Sequence, residues 1–156
     1  METDYDDEFL IRANNGQIYL KIETVYGFPN NTSHFGGYDT KNRIEITSSN
    51  YSVIGTVFIT TGEIFEFYKQ LRECYDLLTG TAKLTSYEGN LELSIVFDGL
   101  GHAEIQGFFR EQSHLNNKLE FELTTDQTYL FQAISGLTEI IDKYGDNMGK
   151  SSMNSA

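Results

Sequence analysis

Three segments, LELSIVF from Leu91, HAEIQGFF from His102 and KLEFELT from Lys118, alternate apolar and polar residues with a period of two. That period is the pleat of a half-buried strand, and turn residues separate the segments, so together they predict a β-meander. The alternation puts Leu91, Leu93, Ile95 and Phe97 on the same side as Ala103, Ile105, Phe109, Leu119, Phe121 and Leu123. Antiparallel neighbours can share that side only when the numbers of paired residues sum to an even value. The Asp98-Gly99-Leu100-Gly101 connection must therefore be an odd-length hairpin loop, because a slip of one residue would turn the whole apolar set into water.

The rest of the chain adds strands and two helices. QIYLKIETVY, from Gln17, sets Ile18, Leu20 and Ile22 against Tyr19, Lys21 and Glu23, and RIEIT and YSVIGTVFIT read as two further strands. Gly55 in the last of these marks a bulge or a close packing. Between the first two lies GFPNNTSHFGGYDTKN, which holds the only proline and reads as a loop. Thr60 with Glu63 forms a capping box, and Ile64, Phe67, Tyr68, Leu71, Tyr75 and Leu78 make the apolar stripe of a helix that Gly80 ends. Its other face carries Glu66, Lys69, Arg72, Glu73 and Asp76. The Glu66–Lys69 and Arg72–Asp76 spacings allow pairing along the helix, which makes this an ordinary solvated surface. A second helix starts near Thr125 or Asp126, buries Leu130, Ala133, Ile134, Leu137, Ile141 and Tyr144, and stops at Gly145. ITTGEIFEFY and LTTDQTYLFQ share a strand–TT–helix layout, which two convergent caps explain at this length. The expected fold is α+β: one domain over residues 9–145, with an antiparallel sheet of about seven strands and two flanking helices. Residues 1–8 form an acidic, mobile N-terminus and residues 146–156 a disordered tail.

Charge narrows the function. The 23 Asp and Glu against 11 Lys and Arg give a net charge of −12. A nucleic-acid partner bound through its phosphates would need a basic footprint, so that class is excluded; a cationic partner is favoured, although solubility alone also explains such acidity. No apolar run approaches the roughly 20 residues of a membrane span. METDYDDEFL is unlike a signal peptide, and the single Cys74 permits a reducing compartment, so a cytoplasmic location is expected.

Catalytic chemistry is not apparent. His34, His102 and His114 are scattered with no metal-ligand spacing, and Cys74 lies on the edge of a helix stripe as a small core residue. No nucleophile elbow, P-loop or dinucleotide glycine pattern occurs. Asp98-Gly99-Leu100-Gly101 is followed by a strand, not by the helix N-terminus that a phosphate cradle needs. The expectation is no catalytic residue, no metal and no cofactor. A hydrolase using two carboxylates stays open, provided burial raises the pKa of one of them.

The outward side of the meander carries Glu92, Ser94 and Val96, then Glu104, Gln106 and Phe108, then Glu120, Glu122 and Thr124. Apolar anchors ringed by charge are the anatomy of an interface, which makes Glu92, Val96, Glu104, Gln106, Phe108, Glu120 and Glu122 the candidate partner-binding set. Two other readings fit the same residues: helices cover this face, with Val96 and Phe108 filling a core, or the face is simply solvated. Tyr87, Glu88 and Tyr51 are candidates for its rim.

The blocks IFEFYKQL, SYEGNLEL, FDGLGHAEIQGFFRE and LEFELTTDQ, in that order within residues 43–145, resemble the WapI family of bacterial immunity proteins. The acidic N-terminus and the loop around Pro29 fall outside the resemblance. It implies a non-enzymatic, cytoplasmic inhibitor that binds the C-terminal toxin domain of a wall-associated or contact-dependent protein delivered by a sibling cell. In the family's best-known setting the toxin acts on transfer RNA. A basic nuclease domain would match the acidity of this chain. The resemblance brings no site residues with it, because each such interface is tuned to its own toxin. An acidic scaffolding module for another basic partner is the alternative function, and the oligomeric state is left open.

Overall fold

In the computed structural model, which describes residues 7–112 and 114–150, ten elements follow in order. They are β1 (Glu8–Arg12), β2 (Gly16–Val25), β3 (Asp39–Ser48), β4 (Tyr51–Thr60), α1 (Thr61–Leu77), β5 (Thr79–Thr85), β6 (Leu91–Asp98), β7 (His102–Phe109), β8 (Leu119–Asp126) and α2 (Gln127–Tyr144). The strands do not form one sheet of about seven. They form two antiparallel four-stranded sheets, β1-β2-β3-β4 and β5-β6-β7-β8. The α+β class stands, with eight strands split evenly.

The additional strands were hidden for physical reasons. β1 emerges from the acidic run, and only Phe9 and Ile11 of it are buried. β5 presents just Ala82 and Leu84 inward among Thr, Gly and Lys, a composition that reads as loop. Leu78, not Gly80, ends α1: it takes the left-handed conformation at φ 59°, and the strand starts at the next residue. β3 begins well inside the expected Pro29 loop because two of its inward positions are polar. The buried Asn42 side chain donates to Thr40 Oγ1 (2.8 Å) and to the Val57 carbonyl (3.1 Å), and Thr40 donates to the Ile59 carbonyl.

The meander has the predicted parity. Leu91 faces Phe109 and Phe97 faces Ala103, while Gly99-Leu100-Gly101 closes the turn between β6 and β7 as an odd-length loop. The Asp98 carboxylate accepts the Leu100 and His102 amides, at 2.7 and 3.2 Å, which hold it below the usual carboxylate range. The β3–β4 register runs unbroken through Ile44–Gly55, so Gly55 marks no bulge. A register shift does occur in β2, between Ile22 and Thr24.

The inner faces of both sheets and the apolar stripes of both helices share one core. Full burial of each Leu, Ile or Phe there is worth about 1.5–3 kcal/mol. In each half of the chain four strands run straight into a helix, and the helices cross over. α1 packs mainly on β5 of the second sheet and α2 on β1 of the first, and the helices also touch each other. The approach is close at both places. A β-carbon on Gly136 of α2 would lie 2.6 Å from the Glu8 carbonyl, and one on Gly80 of β5 would lie 2.9 Å from Cys74 Sγ of α1.

Side chains take up part of both edges of the second sheet. On β5, the Lys83 amide donates to Gln70 of α1 at 2.9 Å. On β8, the β1–β2 turn supplies Asn15, whose amide group donates to the Glu122 carbonyl (3.1 Å) and accepts the Thr124 amide (3.2 Å). An edge whose backbone groups are taken cannot template another strand. Asp7 and Glu8, assigned from sequence to the mobile segment, have defined positions: Asp7 accepts from the Tyr144 hydroxyl (2.5 Å) and from Lys143, and Glu8 opens β1. Within the expected tail, residues 146–150 form a turn in which the Asn147 carbonyl accepts the Gly37 amide. Residues 1–6 and 151–156 lie outside the described residues.

Candidate functional site: the outer face of the second sheet

Alternation that buries Leu93, Ile95 and Phe97 must turn their neighbours outward, and the register arranges those neighbours in rows. Thr85, Glu92, Phe108 and Glu120 form one row; Lys83, Ser94, Gln106 and Glu122 the next; Thr81, Val96, Glu104 and Thr124 the third. Among the described residues no helix covers this face. Glu92, Glu104, Gln106, Glu120, Glu122 and Val96 are exposed and Phe108 is half-buried, so all seven residues named from the sequence share one open surface. The helix-covered reading is thereby excluded.

The two apolar members do not form a single anchor. Phe108 and Val96 stand two rows apart, and each borders its own shallow depression. One, of about 510 Å³, is lined by Glu92, Gln106, Phe108, Glu120 and Glu122. The other, of about 440 Å³, is lined by Asn14, Val96, His102 and Glu104.

The face is less purely acidic than the meander alone suggests. β5, missing from the sequence reading, brings Lys83 into the middle row. Lys118 pairs with Glu120 at 3.0 Å. The Lys118 ammonium and the Arg110 guanidinium lie 5.2 and 6.0 Å from the centre of the Phe108 ring. Gln106 donates to Glu122 at 3.3 Å. Four carboxylates remain spread over the three rows. The outer face of the first sheet is mixed instead: Lys21, Lys41 and Arg43 stand among Glu8, Glu23 and Glu45, with Arg43 and Glu45 paired at 2.8 Å.

A two-carboxylate hydrolase would need a raised acid within this face. The glutamate that burial raises is Glu63, which lies in the first turn of α1 and accepts the Thr60 amide at 2.9 Å as part of the helix cap. Burial also pushes the Cys74 thiol up, away from the thiolate a nucleophile requires. Among the described residues, no group of three or more His, Cys, Asp or Glu is placed to hold a metal ion. No helix among the described residues is long and apolar enough to cross a membrane. The arrangement offers an open, acid-rich platform suited to contact with another surface.

The family model described as "Immunity protein WapI-like family" matches residues 9–145. The chain belongs to that family. The match begins in β1 and ends just past α2, so it takes in both sheets and both helices. It also takes in the Pro29 loop and β1–β2, which lie outside the residue blocks that carry the resemblance in sequence. A search of curated proteins found no match. As a member of the WapI-like immunity family, the chain has an immunity function, which implies a cognate toxin as its partner.

Proposed function

We propose that this immunity protein binds the C-terminal toxin domain of a wall-associated or contact-dependent protein in the cytoplasm and neutralises it by occlusion. The toxin in this reading is a basic nuclease, with transfer RNA the substrate that the resemblance suggests. The observation that supports it is the outer face of β6–β8, where Glu92, Glu104, Glu120 and Glu122 stand exposed on a surface without catalytic groups. A nuclease cleft is basic because it must hold phosphates, so an acidic platform complements it and speeds encounter. No step of the reading requires chemistry by this chain.

The test is co-expression. The toxin domain encoded beside this protein is induced in a sensitive cell with and without it, and the two are co-purified. Rescue of growth together with a stable complex is expected. Failure to rescue, or rescue with no complex, overturns the proposal.

A further inference from the structure

Phe108 is already covered from within by Lys118 and Arg110. A second aromatic surface, at the same end of the sheet, has no such cover. The Thr85–Glu92–Phe108 row ends at the β5–β6 turn, and that turn carries Tyr87. Phe35, from the loop between β2 and β3, stacks on Tyr87 with ring centres 4.7 Å apart and planes 7° from parallel. Phe35 is 57% exposed, Tyr87 37% and the neighbouring Tyr26 47%.

The pair is held in place before any partner arrives. Ser33 Oγ donates to Asp39 (3.0 Å) and accepts the Phe35 amide (3.1 Å), while the Ser33 amide donates to the Gly37 carbonyl (2.6 Å). Gly36 and Gly37 take φ values of 97° and 68°, which only glycine adopts freely. The turn rests on the start of α1, where a β-carbon on Gly62 would lie 2.6 Å from the Gly36 carbonyl. On the other side Ser86 Oγ donates to Asn90 Oδ1 (2.8 Å) and pins the turn that bears Tyr87. Exposed aromatics on such rigid turns cost little to order on binding and make strong anchors.

The surroundings select the ligand. Burial raises the Tyr87 hydroxyl, and the carboxylates of Asp39, Glu88 and Glu63 add to that effect, so the local field at Tyr87 is negative; the His34 ring meets Phe35 edge-on at 5.5 Å. Among the described residues no Lys or Arg lies over Phe35, Tyr87 or Tyr26, although Phe108 has two and Tyr129 and Tyr144 one each. We propose that this corner is a second anchor of the toxin interface and receives an arginine side chain of the toxin domain, an assignment that rests on the immunity reading above. A guanidinium is flat enough to stack on a ring and forked to meet a carboxylate, which suits an exposed aromatic pair in a negative field with Glu88 on the same turn as Tyr87.

The experiment measures binding of the toxin domain encoded beside this protein to the wild type and to Phe35→Ala, Tyr87→Ala and Phe35→Leu. The alanine variants should each raise Kd about 10-fold or more, mainly through faster dissociation. Phe35→Leu keeps apolar area but loses the π-face and should weaken binding nearly as much. Glu88→Lys, at an exposed turn position, repeats the test through charge if an aromatic variant loses its fold. Replacing the toxin's arginines singly by alanine should find one whose effect disappears in the Phe35→Ala background. If wild type binds tightly and all four variants match it, the corner is overturned and the immunity reading stands. Coupling to a lysine alone also overturns it. If wild type does not bind, both readings fall.

Discussion

The ring of Phe109, on β7, rests on the bare backbone of Gly55, on β4: a β-carbon at Gly55 would lie 2.7 Å from two carbons of the ring. Phe109 is fully buried, so the ring has little room to retreat. The contact joins the two sheets, which share no strand pairing at this point. Gly55→Ala is expected to cost about 1–3 kcal/mol through overpacking, read as a lower urea midpoint. In a Phe109→Leu background the same change should cost much less. Costs that simply add would show that the ring is not the obstacle.

Glu63 gives the fold a pH dependence of defined sign. Burial raises its pKa above that of a free glutamate, so the folded chain holds this proton more tightly than the unfolded chain does. Its contribution is therefore most favourable below the ordinary glutamate value of 4.5 and declines as pH rises from there through the raised value. Glu63→Gln keeps an oxygen to accept the Thr60 amide and removes the titration. Stability of the variant relative to wild type, from melts at a series of pH values, should rise across that window and then level off. A flat difference would refute the assignment.

Charge reversal tests the acidic face. Glu104→Lys combined with Glu120→Lys alters two of its rows and also releases Lys118 from its ion pair. Association with the toxin domain should slow by about 10-fold at low ionic strength and lose much of its salt dependence, while the melting temperature changes little. An unchanged association rate at low salt would remove this face as the docking surface.

Asn15→Ala should expose the β8 edge. The substitution removes the partners of the Glu122 carbonyl and the Thr124 amide. Because the edge is exposed and water can take up the freed groups, a loss of only about 0.5–1.5 kcal/mol is expected, together with faster aggregation seen by light scattering. Stability loss without aggregation would mean that the edge is protected by other means.

How far the sequence could be read depended on whether one residue's chemistry reported its own environment. The meander was legible because Leu93, Ile95, Ile105 and Leu123 alternate with acids, and alternation is local. The capping box at Thr60 and Glu63 was legible for the same reason. β5 was not: only two of its residues face inward, and the left-handed turn before it falls on Leu78, where no glycine marks it. The division into two sheets depends on how separate strands pack, and no strand encodes that alone. The seven face residues could be named from alternation, whereas the cations near them could not. Lys83 arrives on an unrecognised strand, and Lys118 and Arg110 reach Phe108 through side-chain direction. Phe35 and Tyr87 are far apart in the chain, and their stack exists only once α1 and the two turns have been assembled.

The crossing of the helices has a temporal consequence. β1 leaves the ribosome among the first segments of the chain, yet its cover, α2, is made after every other described element. Each four-strand half waits for the other to supply a lid, so the nascent first half holds its sheet without the surface that completes it. The shared core is therefore completed only once α2 has been made. A product cut off after α1 would hold the first sheet uncovered and would lack the acidic face altogether, because Glu92, Glu104, Glu120 and Glu122 all lie on the second sheet.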